Sequence, residues 1–97
     1  LDAYGFGELF GHSTGHGLGL DVHELPRVGR ARAEAKPVPV ECGMVFTFEP
    51  GGYGPGVGGV RIEDDIHITE SGIEILTADI PKEPSEVEEW VLAREFP

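Results

Sequence analysis

Two segments alternate apolar and polar residues with period two: MVFTFEP (44–50) and VRIEDDIHIT (60–69). Such alternation marks strands with one buried face. In the first, Phe46 and Phe48 fall on one side and Val45, Thr47 and Glu49 on the other; in the second, Ile62, Ile66 and Ile68 oppose Arg61, Glu63, Asp65 and His67. The intervening PGGYGPGVGG (50–59) is rich in turn residues, so the two strands are expected to form one antiparallel hairpin. A third short strand is expected at Ile73 to Leu76. The stretch SEVEEWVLAREF (85–96) predicts a terminal helix, with Ser85 as its cap, Glu88 three residues on, and Val87, Trp90, Val91 and Phe96 at helical spacing. Residues 27–43 show no amphipathic period, carry most of the positive charge and read as an exposed connecting loop.

The hairpin has a chemical consequence. If the apolar residues share one face, Glu49 and Glu63 share the other, with Cβ atoms about 5 Å apart should they be cross-strand neighbours. Two bare carboxylates at that distance repel, and a bound cation or a raised pKa relieves the repulsion. A solvated acidic face is the ordinary alternative for a hairpin standing alone. This one is accompanied by GHSTGHGLGLDVHELP (11–26), which supplies His12, His16 and His23. Gly15, Gly17 and Gly19 argue against a helix there, each costing about 1 kcal/mol, so a loop entering a strand is expected. Carboxylate oxygen and imidazole nitrogen suit Mn, Co and Zn, and the pattern reads as an incomplete hydrolytic metal centre. His67 is expected at the surface or just outside such a centre. Arg61, two residues from Glu63 on the same face, is placed either to orient a carboxylate or to form a surface ion pair.

Composition narrows the classes. The net charge is −11 and the basic residues are scattered, which gives no footprint for a phosphate backbone and excludes nucleic acid as an expected partner. Cys42 is the only cysteine, so no internal disulfide forms, and a cytoplasmic setting fits. No apolar run is long enough for a bilayer and no leader pattern opens the chain; a leader, if there is one, lies upstream of Leu1. At 97 residues the chain makes one small domain at most, and with a dense motif barely ten residues in it reads as a piece of a larger protein. Twelve of the 15 glycines fall within residues 5–19 and 51–59, which points to tight turns or close backbone approach there. Gly54, Gly56 and Gly59 satisfy GxGxxG but contain Pro55 and lead into a strand, so no dinucleotide site is expected. Ser13 lacks the setting of an acyl-enzyme nucleophile.

The ordered motifs GHGLGLDVHE, GMVFTFEPGGY and GVRIEDD resemble the creatinase/prolidase/methionine aminopeptidase superfamily, the pita-bread metallopeptidases, and within it the Xaa-Pro dipeptidases and Xaa-Pro aminopeptidases. The resemblance runs over about residues 5–77. It implies an α+β fold in which residues 1–97 are the C-terminal part of one pita-bread catalytic domain, an antiparallel sheet with covering helices. It further implies that His16 and Glu49 ligate one metal while Glu63 bridges two, the ions being Mn or Co first and Zn or Fe next. His12 and His23 would be non-ligand histidines facing substrate, Arg61 would support the bridging carboxylate, and Arg27 would grip a substrate carboxylate. The implied reaction is hydrolysis of Xaa-Pro bonds in proline-containing peptides by a homodimeric full-length enzyme. In it Glu49 carries a proton from water to the leaving nitrogen and His23 donates to the oxyanion. The family's two aspartate ligands have no counterpart upstream of His12 except Asp2, so this chain alone is expected to bind metal weakly and to be inactive. Asp21, Asp64 and Asp65 stand at positions that the family does not use as ligands. The rival readings are a metal-free binding module of the same fold and a creatinase-like hydrolase without metal.

Overall fold

The computed structural model describes residues 5, 11–29 and 36–94. Its elements, in chain order, are β1 (Gly15–Gly17), β2 (Glu24–Val28), β3 (Val45–Phe48), β4 (Gly51–Gly54), β5 (Gly58–Arg61), β6 (Asp64–Thr69), β7 (Gly72–Ile75) and α1 (Pro84–Leu92). Five strands form one antiparallel sheet in the order β2-β1-β3-β6-β7, and β4 and β5 pair separately as a two-stranded arm.

The period-two segments pair as expected. Val45 lies opposite His67, Phe46 opposite Ile66, Thr47 opposite Asp65 and Phe48 opposite Asp64. Because side chains alternate, Phe46, Ile66 and Ile75 form an apolar row across β3, β6 and β7. Gly72, with φ of 140°, ends the tight turn into β7, which begins one residue before the expected third strand.

Three expectations need correction. The glycine-rich link between the paired segments is itself a hairpin, with Gly51 opposite Arg61 and Tyr53 opposite Gly59. Val60 and Arg61 therefore belong to β5, and the return strand is interrupted at Ile62 and Glu63. Arg27 and Val28 do not open a loop but complete β2, an edge strand that tolerates Pro26 because no inner neighbour needs its missing N–H; the β1–β2 register shifts at that point. The helix begins at Pro84, not at a Ser85 cap. Proline suits the first helical turn, where its N–H would be unused, and no side chain caps the end.

The sheet is largely uncovered. Among the described residues Phe46, at 6% exposure, is the one buried apolar side chain, while Phe48, Ile62, Ile73 and Ile75 are exposed. The α1 helix packs on no strand, and Val87, Trp90 and Val91 of its apolar stripe stay exposed, with the Arg94 guanidinium 3.7 Å over the Trp90 ring. Phe96, expected on that stripe, and Asp2 lie outside the described residues. Cys42 is exposed in a turn. Among the described residues no helix is long and apolar enough to cross a membrane.

Candidate metal centre

The site starts from backbone proximity. A Cβ on Gly15 would collide with the Thr47 carbonyl, and one on Gly17 with the carbonyls of Leu25 and Glu24. Glycine at both places lets β1 lie tightly between β2 and β3. Three bonds then set the register of β1 on β3. The Glu49 N–H donates to the Thr14 carbonyl (2.6 Å), the His16 N–H to Thr47 Oγ1 (3.0 Å) and the Leu18 N–H to the Val45 carbonyl (3.0 Å). Thr47, at 1% exposure, is the buried anchor of this set. His16, Thr47 and Glu49 are thereby held in one small patch, and Glu63 follows across the gap before β6.

One ligand atom from each of His16, Glu49 and Glu63 lies within 4.8 Å of the other two. His16 Nε2 is 3.5 Å from Glu49 Oε2. Its Nδ1–H donates to the Gly17 carbonyl (3.0 Å), which orients the ring and turns Nε2 toward the carboxylates. Although Glu63 is exposed as a residue, partial desolvation of its carboxyl lifts it above the ordinary carboxylate range, and the negative charge of Glu49 lifts it further; Arg61 pulls the other way, while a hydrogen bond shared with Glu49 and the charge of Asp65 add to the rise. One imidazole nitrogen and two mutually repelling carboxylates make a donor set that a divalent cation fits.

An open cleft of about 710 Å³ adjoins this cluster, lined among others by His12, His16, His23, Arg27, Glu49 and Arg61. The His23 ring lies against that of His16, centroids 4.2 Å apart. Arg27 stands opposite His16 in the β1–β2 register. Arg61 acts on Glu63 through its charge, without a hydrogen bond between them. His12 donates from Nδ1 to the Ser13 carbonyl (2.7 Å), and its Nε2 accepts from the Tyr53 hydroxyl (2.9 Å), the two rings meeting edge to face. His67 is not in the cleft. It pairs with Glu74 on β7 at 3.1 Å.

Sequence reasoning missed Tyr53, Thr47 and a knot beside Glu63. In that knot the Asp64 carboxylate accepts from Thr77 Oγ1 (2.7 Å) and from Lys82 Nζ (3.0 Å). Burial works to raise the Asp64 carboxyl, but the hydrogen bonds from Thr77 and Lys82 and the ammonium charge outweigh it and hold the group below its ordinary range. Nothing in periodicity could reveal Tyr53 against His12, 41 residues away; only a tyrosine in a glycine-rich arm hinted at a use.

A histidine and two carboxylates beside an open cleft form a candidate metal-binding site. The chain belongs to Metallopeptidase family M24, which it matches over residues 1–70. It is 54% identical over 74 residues to the Xaa-Pro dipeptidase of Pyrococcus horikoshii, covering 76% of this chain and 20% of that protein. It superposes on a solved Xaa-Pro dipeptidase from Bacillus anthracis with TM-score 0.73 and 52% identity, over 84% of this chain and 22% of that one. A solved aminopeptidase P from E. coli with the inhibitor Pro-Leu matches at TM-score 0.70 and 40% identity, over 95% of this chain and 22% of that one. The pita-bread fold class expected from sequence is thus confirmed, and the chain spans about a fifth of the length of these relatives.

Proposed function

We propose that the chain is the C-terminal, metal-binding part of a peptidase that hydrolyses Xaa-Pro bonds in proline-containing peptides. The convergence of His16, Glu49 and Glu63 within 4.8 Å carries this reading. His16 and Glu49 would hold one divalent cation and Glu63 would bridge it to a second, with Mn or Co the first choice. When bound, such ions supply Lewis acidity that polarises a carbonyl and acidifies water.

The chain's own groups do the rest. Glu49 keeps one carboxylate oxygen toward His16 and uses the other to take a proton from the attacking water, then returns it to the leaving proline nitrogen. His23, in the cleft against His16, donates to the oxygen that gains charge. His12, which also lines the cleft, is oriented by Ser13 and Tyr53 to face bound peptide. Arg27, another lining residue, meets the carboxylate of a dipeptide. Arg61 tempers the repulsion between the two glutamates. On this reading the working protein is a cytoplasmic homodimer whose remaining ligands lie outside this chain.

Two measurements on the intact protein test the proposal: metal content after purification, and hydrolysis of Gly-Pro beside a longer Xaa-Pro peptide and a proline-free control. Stoichiometric Mn, Co, Zn or Fe with cleavage of the proline substrates is expected. A protein that folds, holds no divalent metal and cleaves neither peptide would instead be a binding module.

A further inference from the structure

Glu63 occupies a weak place in the backbone. It lies in the two-residue gap between β5 and β6, outside both ladders, and is exposed. Upstream, the Ile62 N–H holds the Pro50 carbonyl at 3.2 Å. Downstream, Asp64 begins β6 opposite Phe48, at the last pair of the ladder.

A second tie on this ladder end comes from beyond β7. The Lys82 ammonium has three donors, and all three are used: Asp64 Oδ1 at 3.0 Å, the Thr77 carbonyl at 2.9 Å and the Ile80 carbonyl at 2.8 Å. Thr77 Oγ1 donates to Asp64 Oδ1 (2.7 Å) and accepts the Asp65 N–H (3.1 Å), while the Leu76 N–H reaches the Asp65 carbonyl (2.9 Å). Lys82 and Asp64 are each about a quarter exposed, at 26% and 22%, so this is an anchored group and not a waving surface cation. Six bonds thus close a loop around Asp64 and Asp65, the two residues that follow Glu63. Thr77 and Lys82 both lie outside residues 1–70, the part matched to the family.

We propose that Lys82 is a positioning residue for the metal centre: by tying Asp64 to the turn at Thr77 and Ile80 it fixes the backbone that aims Glu63 at His16 and Glu49. Asp64, on the opposite side of the chain from Glu63, transmits the constraint and takes no metal itself. The inference rests on the metal-site reading above. Removing the ammonium leaves the Asp64 carboxylate with the Thr77 hydroxyl alone and loosens the gap residues beside the ladder end.

The test is Co2+ binding to the intact protein, followed by calorimetry and by visible absorption of the bound cobalt, which reports its ligand geometry. Lys82→Met is expected to bind Co2+ about tenfold more weakly, as for other residues that orient a metal ligand, with an altered cobalt spectrum. Lys82→Arg should recover most of both. His67→Gln, which breaks a side-chain pair farther along β6, should leave both unchanged. If the wild-type protein binds no cobalt, the metal reading fails and this inference falls with it. Should wild type and Lys82→Met bind alike with the same spectrum, the positioning role alone is overturned. Equal weakening in Lys82→Met and His67→Gln would overturn it too, as general loosening of the sheet. If Lys82→Met does not fold, Lys82→Gln is read in the same way.

Discussion

Glu49 and Glu63 stand where the next cross-strand pair would fall, one step past Phe48 and Asp64 at the end of the β3–β6 ladder. The ladder stops there, yet its register still brings the two carboxylates together and beside His16 Nε2.

Neutralising either carboxylate should therefore cost metal before it costs fold. In the intact protein Glu63→Gln and Glu49→Gln are expected to weaken metal binding by at least about tenfold. Turnover should fall by about 100-fold or more for Glu49→Gln, which also loses its proton carrier. Added Mn2+ should raise the thermal midpoint of the wild type and leave Glu63→Gln unmoved, since a ligand stabilises only the state that binds it. Retention of most turnover by Glu49→Gln would remove its proposed role.

The Tyr53 hydroxyl is expected to matter through His12. Tyr53→Phe deletes one hydrogen bond to Nε2 and should lower kcat/KM by about tenfold at most, with metal content unchanged. In a double-mutant cycle with His12→Gln the two losses should fail to add, with a coupling of about 1 kcal/mol. Strict additivity would show that the contact does not organise the cleft.

How much of this was legible beforehand depends on side-chain alternation. β3 and β6 announce themselves because both alternate and pair without a bulge, so a shared face for Glu49 and Glu63 followed from Phe46, Ile66 and Ile68, while their adjacency came only with the register. β4 and β5 carry glycine at Gly51, Gly52, Gly54, Gly58 and Gly59, which leaves almost no side-chain pattern to read, and they passed for a turn. β2 was hidden because ELPRV is mostly exposed and contains a proline. The contacts of Tyr53 with His12 and of Lys82 with Asp64 arise only when distant segments meet.

The Asp64 knot gives the protein a pH signature. A carboxyl held below its ordinary value in the folded state contributes stability above the unfolded value near 3.8 and loses it as pH falls through the folded one. Lys82→Met should thus lower the thermal midpoint by about 2–4 °C at pH 7. The gap to wild type should close as the solution is taken below the ordinary aspartate range. A gap that persists undiminished in acid would mean that packing of the lysine stem, not its charge, is responsible.

Glycine in β1, between β2 and β3, should prove irreplaceable. Gly15→Ala and Gly17→Ala push a methyl group into main-chain carbonyls that cannot step aside, at a cost of about 3 kcal/mol or more. Gly54→Ala meets only the Val57 side chain at 3.5 Å and should be nearly neutral. Thermal midpoints of the three variants compare them directly; equal behaviour would contradict the close approach of β1 to its neighbours.

That approach inverts the usual origin of precision in an enzyme. In most active sites a chemically important ring is wedged in place by bulky companions, and its accuracy is inherited from an oily interior. Here the His16 imidazole is located by peptide groups abutting peptide groups on either side of β1, with scarcely any interior beneath. Evolution could then freely exchange the aliphatic residues around this centre while two positions with no side chain at all stay frozen.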